Sequence, residues 1–248
     1  MSTLIILSHT DDEVFLIPYL LANKNEKFAF AYLAEIDRPL RVSERVFSRS
    51  KEALRVIKFL SSRLHVNRCI FMEPGGSLQD GLFHLAEESQ IQKIVNRLSQ
   101  QNEVNKVVSL ELEGGHQDHD ICWSIARVVA LSLQVPHFTV PAYRASARWA
   151  AVPIPQVFVQ NPKATWLPAS PFKVFTLITR IVAQYRSQLP TWLVLYPMIS
   201  WSILRRHFWI SQDSPFVDIQ RSLYEARGKA TTSSVMQRVT SILGSQSG

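Results

Sequence analysis

The feature that most limits how this chain can fold is Leu4-Ile5-Ile6-Leu7, four apolar residues in a row, two of them β-branched. A strand with one wet face alternates polar and apolar side chains. An unbroken apolar run needs burial on both faces, as in a parallel sheet covered by helices. A second apolar run of strand length occupies residues 28–33, and further strands are predicted at 68–72 and 106–110. Between them lie stretches with helical spacing: 14–22, 44–64, 85–98 and 121–133. The second of these would be capped by Ser43 and carries Val46, Ala53, Leu54, Ile57, Leu60 and Leu64 on one face. Pro39, Pro74-Gly75-Gly76 and Asp80-Gly81 punctuate the connections. Strand–helix alternation of this kind predicts βαβ units, a parallel sheet and right-handed crossovers.

Two of the predicted strands run directly into side chains that bind metals. The first is followed by His9-Thr10-Asp11-Asp12-Glu13, the fourth by Glu111-Leu112-Glu113-Gly114-Gly115-His116-Gln117-Asp118-His119. Ligands in open α/β sheets bind at the carboxyl ends of strands, so both clusters stand where chemistry occurs. Asp11 and Asp12 would sit at a helix N-terminus, where the macrodipole favours the ionised form. An acidic helix cap beside a stray histidine would look the same, and a lone H-x-x-H is weak evidence. Two clusters at two strand ends are much less easily coincidence. Gly114 and Gly115 would let the backbone bend sharply or approach a ligand closely. His9, Asp12 and His119 would form a two-histidine, one-carboxylate set with an open position, the composition of a catalytic zinc site. Asp11 could then take a proton from water as general base. His116 could stabilise an oxyanion or protonate a leaving amine, with Asp118 fixing its tautomer. The chemistry is metal-assisted hydrolysis of an amide or ester.

Composition narrows the class further. The 248 residues suffice for one sizeable α/β domain with a C-terminal elaboration. A net charge of +7 suggests an anionic partner, or serves solubility alone. Lys/Arg runs with interleaved aromatics are missing, so nucleic acid is not expected. Cys69 and Cys122 read as buried free thiols, which fits a reducing cytoplasm, and no secretory signal is expected.

Ser8-His9-Thr10-Asp11-Asp12-Glu13 resembles the (P/A)-H-P-D-D-E signature of the PIG-L/LmbE-like de-N-acetylases, and Gly115-His116-Gln117-Asp118-His119 their G-H-P-D-H. Arg49-Ser50-Lys51-Glu52-Ala53 is similar to an R-x-x-E-A stretch, Asp80-Gly81-Leu82 to a D-G turn, and Tyr185-Arg186-Ser187-Gln188 to an H-x-S-Q segment. Thr10 and Gln117 replace prolines, Tyr185 stands where the family often has histidine, and Gly114 where some members carry an aromatic residue. The resemblance implies a Rossmann-like, mostly parallel sheet with helices on both faces. It implies a zinc-dependent hydrolase that removes acetyl from an N-acetylglucosamine-containing substrate, other divalent transition metals being able to occupy the same ligands. The roles it implies are His9, Asp12 and His119 as ligands, Asp11 as base and His116 as polar catalyst. Arg49, Asp80 and Tyr185 become candidates for substrate contact, with pairing to Glu52 the alternative for Arg49.

Residues 1–165 are expected to form the catalytic core and 166–248 a mainly helical, apolar extension. Short strands are predicted at 136–143 and 156–160. The stretch 189–204 is almost free of charge, ends at Arg205-Arg206-His207 and holds Pro190 and Pro197. It reads as a core helix, as a membrane-surface helix with Trp192, Tyr196, Trp201 and Trp209 at the interface, or as a short span. A surface helix would suit a lipid-linked substrate and peripheral contact with an anionic membrane. A deacylase of some other amide, or a catalytically silent membrane-surface binding protein of the same fold, are the competing readings.

Overall fold

The apolar run at the N-terminus is the buried strand β1 (Ser2–Leu7), with every residue from Thr3 to Leu7 at most 1% exposed. After it come α1 (Glu13–Ala22), β2 (Phe28–Tyr32), α2 (Arg49–Ser61), β3 (Val66–Phe71), α3 (Glu88–Ser99), β4 (Val104–Leu110), α4 (Gln117–Leu133) and β5 (His137–Val140). The C-terminal third adds β6 (Tyr143–Ala145), β7 (Pro153–Pro155), β8 (Ala164–Trp166), α5 (Pro171–Val182), α6 (Leu189–Leu204), β9 (Trp209–Gln212), α7 (Leu223–Ala226) and α8 (Thr232–Gly244). The structure is a computed structural model and describes residues 1–34, 49–72, 77–145, 153–155, 164–212, 219 and 222–244. The expected strand at 156–160, the cap at Ser43, the first residues of the helix begun at 44 and the breaks at Pro39 and Pro74-Gly75-Gly76 lie outside the described residues.

The sheet has the order β3-β2-β1-β4-β5-β9-β8. Its first five strands are parallel, whereas β9 runs antiparallel to both β5 and β8. This is a Rossmann-like α/β fold, as expected. Because side chains alternate across a strand, Ile5 and Leu7 enter one core while Leu4 and Ile6 enter the other. The first core takes in α1, α2, α5 and α6; the second takes in α3, α4 and α8. Residues after 165 therefore supply packing on both faces and strand β9 of the sheet, with the end of β8. The sequence does not announce the short antiparallel strands β8 and β9, since three or four residues carry no readable periodicity.

The chain leaves β1 toward β2 and β3 on one side and returns to β4 on the other. Strand order reverses between β1 and β4, which are hydrogen-bonded neighbours. A crevice forms at such a reversal, outside the carboxyl ends of the strands. Both histidine–acid clusters open into it.

Candidate functional site

The two loops are tied together before any side-chain chemistry is considered. Ser8 Oγ donates to the Asp118 carbonyl at 3.1 Å. The His9 N–H donates to Asp12 Oδ2 at 2.8 Å, and the Asp11 N–H to Glu13 Oε2 at 3.0 Å. Asp11 is thereby held at φ 111°, a conformation that non-glycine residues rarely adopt and that concentrates at functional positions. Across the crevice Gly114 has φ 69°, and a Cβ on Gly115 would lie 1.8 Å from the Tyr143 carbonyl oxygen. Glycine at 115 is thus required by close approach, and it brings Tyr143 against the site.

A pocket of about 230 Å³ results. One side is polar: His9, Asp11, Asp12, Arg49, Asp80, His116 and His119. Asp12 spans two rings, with Oδ1 3.1 Å from His119 Nε2 and Oδ2 3.6 Å from His9 Nδ1. The opposite ring nitrogen of His9 meets Asp118 Oδ2 at 3.0 Å and Asp80 Oδ1 at 3.2 Å. Asp118 is fully buried and also accepts the Gly81 N–H at 2.6 Å and the Phe83 N–H at 3.1 Å. Its carboxylate serves His9, not His116 as expected, because α4 turns it inward at its first turn. His116 is reached through the Asp118 backbone, whose N–H donates to His116 Nδ1 at 3.2 Å.

The electrostatics follow from this packing. Burial works against a charged His9, but the carboxylates of Asp118, Asp12 and Asp80 outweigh it and hold the ring well above its ordinary pKa. Burial would raise Asp12; His119 and His9 overcome that and keep it strongly ionised. Burial, reinforced by the charge of Asp12, raises Asp11 well above the usual carboxylate range. His116 is pushed down to about 3 by burial and by the charges of His9 and His119. It is therefore neutral, and with Nδ1 accepting a backbone N–H its proton belongs on Nε2.

The residues present fit a divalent cation. His9, His116 and His119 each offer a ring nitrogen, and His9, Asp80 and Asp118 each offer a donor atom, within 4.8 Å of one another in either group. Nδ1 of His119 is buried without a hydrogen-bond partner. Asp12, expected in the ligand set, bridges His9 and His119 through its two oxygens.

Two lesser motifs also meet here. Arg49 pairs with Asp80 at 2.8 Å, and Glu52 instead accepts from Ser187 Oγ at 2.5 Å and Ser187 N at 3.2 Å. Tyr185 does not line the pocket: its ring is fully buried and its hydroxyl donates to Glu13, which Tyr32 also contacts at 3.2 Å. Burial raises that acid to about 7 despite these hydrogen bonds. The segment's contribution to the pocket is Gln188 instead. The other wall is apolar: Phe15, Tyr143, Trp192 and Leu195, with Thr191 beside them. Nothing local in the sequence marks these residues as pocket walls, since long-range packing brings them together.

No protein-family model and no curated protein sequence matches the chain. Solved structures do. A conserved protein from Thermus thermophilus aligns with TM-score 0.53 and 15% identity, covering 88% of this chain and 97% of its own. A deacetylase of the teicoplanin biosynthetic pathway aligns at 0.54 and 16%, covering 86% of this chain and all (100%) of its own. GalB, the 4-carboxy-2-hydroxymuconate hydratase of Pseudomonas putida, aligns at 0.53 and 10%, covering 90% of this chain and 100% of its own. Deacetylases and a hydratase thus share one architecture, and the reaction has to be argued from the site. The chain has the α/β fold of the teicoplanin deacetylases.

Proposed function

We propose that this protein is a metal-dependent de-N-acetylase that hydrolyses the acetamide of an N-acetylglucosamine-containing substrate. The observation that carries the reading is Asp11. It is a carboxylate lining the pocket beside two groups of metal-type donors and held in a strained backbone conformation. The two motif resemblances support the same reaction, and the fold, which the teicoplanin deacetylases share, is compatible with it.

A divalent cation in this donor set would supply Lewis-acid polarisation and make water more acidic. Under this reading His9, Asp12 and His119 hold it. Asp11, raised in pKa and within the pocket, takes the proton of the attacking water and passes it to the departing amine. His116, whose Nδ1 accepts the Asp118 N–H, donates from Nε2 to the developing oxyanion. Arg49 lines the pocket and pairs with Asp80, and under this reading it binds sugar hydroxyls or an anionic aglycone. The apolar wall of Phe15 and Trp192 suits the sugar ring and what it is attached to.

One solved teicoplanin deacetylase is described as a zinc-inhibited form. Zinc therefore has to be tested against cobalt and iron here. The experiment is amine release from a panel of N-acetylglucosamine conjugates, with protein loaded with each metal, with and without chelator. Chelator-sensitive release supports the reading. No release from any conjugate by protein with metal verifiably bound would refute it.

A further inference from the structure

Residues 121–212 contain nine Lys or Arg and no Asp or Glu, so this stretch carries +9 in a chain whose total is +7. The asymmetry is concentrated around α5 and α6, which pack together through Phe175 and Tyr196 (ring centroids 6.0 Å apart) and the Thr179–Tyr196 hydrogen bond of 2.6 Å. One side of α6 is core: Trp192, Leu195, Ile199 and Ile203 are buried. A surface helix ordinarily turns polar residues to water on its other side. Here that side presents Leu193 (75% exposed), Val194 (58%), Trp201 (58%) and Leu204 (73%), with Phe172 (79%) on α5. The cations Lys173 and Arg180 on α5, Arg186 between the helices, and Arg205 and Arg206 just after α6 are exposed, and the Arg205 guanidinium lies 4.9 Å from the Trp201 ring centroid. Among the described residues no helix is long and apolar enough to cross a membrane. An apolar strip, an exposed tryptophan and neighbouring exposed cations are what a helix lying in an anionic lipid interface requires.

We infer that the α5–α6 hairpin docks on the surface of an anionic lipid bilayer. A second copy of this chain is a poor occupant, because two faces of the same strong positive charge would repel. The position of α6 gives the docking a purpose. Its inner side supplies Thr191, Trp192 and Leu195 to the pocket, so one helix separates the bilayer from the site. Resting on the de-N-acetylase reading, this identifies the substrate class as an amphiphile, its sugar in the pocket and its apolar part left in the lipid.

The test is co-sedimentation of the full chain with phosphatidylcholine vesicles with and without phosphatidylglycerol, at two salt concentrations. Binding should require the anionic lipid and fall with salt. Arg205→Gln and Arg206→Gln should each weaken it about fivefold. Trp201→Glu with Leu204→Glu should weaken it by about tenfold or more while leaving the melting temperature and amine release from a water-dissolved conjugate unchanged. Quenching of tryptophan emission by brominated lipid, lost in Trp201→Phe, gives a readout that needs no disruptive variant. Failure to bind anionic vesicles would overturn the inference. So would undiminished binding by the arginine variants and the double glutamate variant, or a self-association or acidic-protein complex that the double glutamate variant abolishes without any vesicle binding. Vesicle binding requires no turnover, so it stands or falls separately from the hydrolase. Faster turnover of a lipid-linked conjugate on anionic vesicles, in the unaltered protein alone, would support the amphiphilic substrate.

Discussion

Replacing Asp118 by asparagine tests how the site is held. The carboxylate is completely buried and joins three segments: His9 after β1, the Gly81 and Phe83 amides of the turn before α3, and its own helix α4. An asparagine keeps one acceptor oxygen and presents an NH₂ group where the second oxygen was, so one of the two amides loses its partner. A buried N–H left unsatisfied costs about 1–3 kcal/mol, and turning the charge-assisted bond to His9 into a neutral one costs about 1 more. The sum is about 2–4 kcal/mol. For a chain of this size each kcal/mol moves the midpoint by about 2–4 °C, so Asp118→Asn should melt on the order of 10 °C lower. Metal affinity should fall about 10–100-fold as His9 loses its orienting partner. Thermal melts of metal-free and metal-loaded protein, with a competition titration against a chelator, provide both readouts. A variant that melts within about 1 °C of the parent and binds metal equally well would refute the keystone role assigned to Asp118.

Other changes have equally definite expectations. Asp11→Ala should remove at least about 99% of amine release while the protein still binds one metal ion by elemental analysis, since general-base contributions run to about 10²–10⁴-fold; loss of the metal would show that Asp11 is a ligand. Gly115→Ala should destabilise by about 3 kcal/mol and disable turnover, because the added methyl meets the Tyr143 backbone and not a flexible side chain; a folded, active variant would contradict this. His137, buried against Ser109 Oγ at 2.9 Å, is pushed down to about 3 by burial and by Arg127. The folded state therefore stays neutral where the unfolded chain binds a proton, so this contribution to stability is complete above about pH 6.5 and declines as pH falls. Between pH 7 and 5 the parent should lose about 2 kcal/mol that His137→Gln does not, measured by urea unfolding; parallel pH profiles would count against it.

Several elements are legible in the sequence because they carry their own period. The run 4–7 can only be buried on both faces, and the uncharged stretch 189–204 has the boundaries of α6. The placement of His9 and His119 at neighbouring strand ends follows from the same logic. What α6 faces is not legible. It is apolar on every side, so spacing cannot distinguish core from surface, and Trp192 is a pocket wall while Trp201 points outward. Pairings are equally hidden: Arg49 could meet Glu52 one turn along its helix, but the fold brings Asp80 to it and Ser187 to Glu52. Tyr185 reads as a contact for substrate, whereas a buried acid, Glu13, claims its hydroxyl. Sequence separation, not chemistry, conceals these contacts.

The place of β9 in the sheet has a consequence for the order of assembly. Strand β5 ends at Val140, and the strand that covers its free edge begins only at Trp209, after α5 and α6. A ribosome adding about 5–20 residues per second needs on the order of 3–14 s to bridge that gap. Throughout it the parallel half of the sheet has a bare edge, the kind of surface that recruits strands from other chains. β8 cannot close the gap, because it pairs through β9. The helical hairpin therefore precedes the strand that completes the sheet, and a chain cut before residue 209 would retain the polar side of its pocket but present an adhesive edge. Slow or interrupted synthesis in that interval should favour aggregation over lost turnover as the first sign of failure.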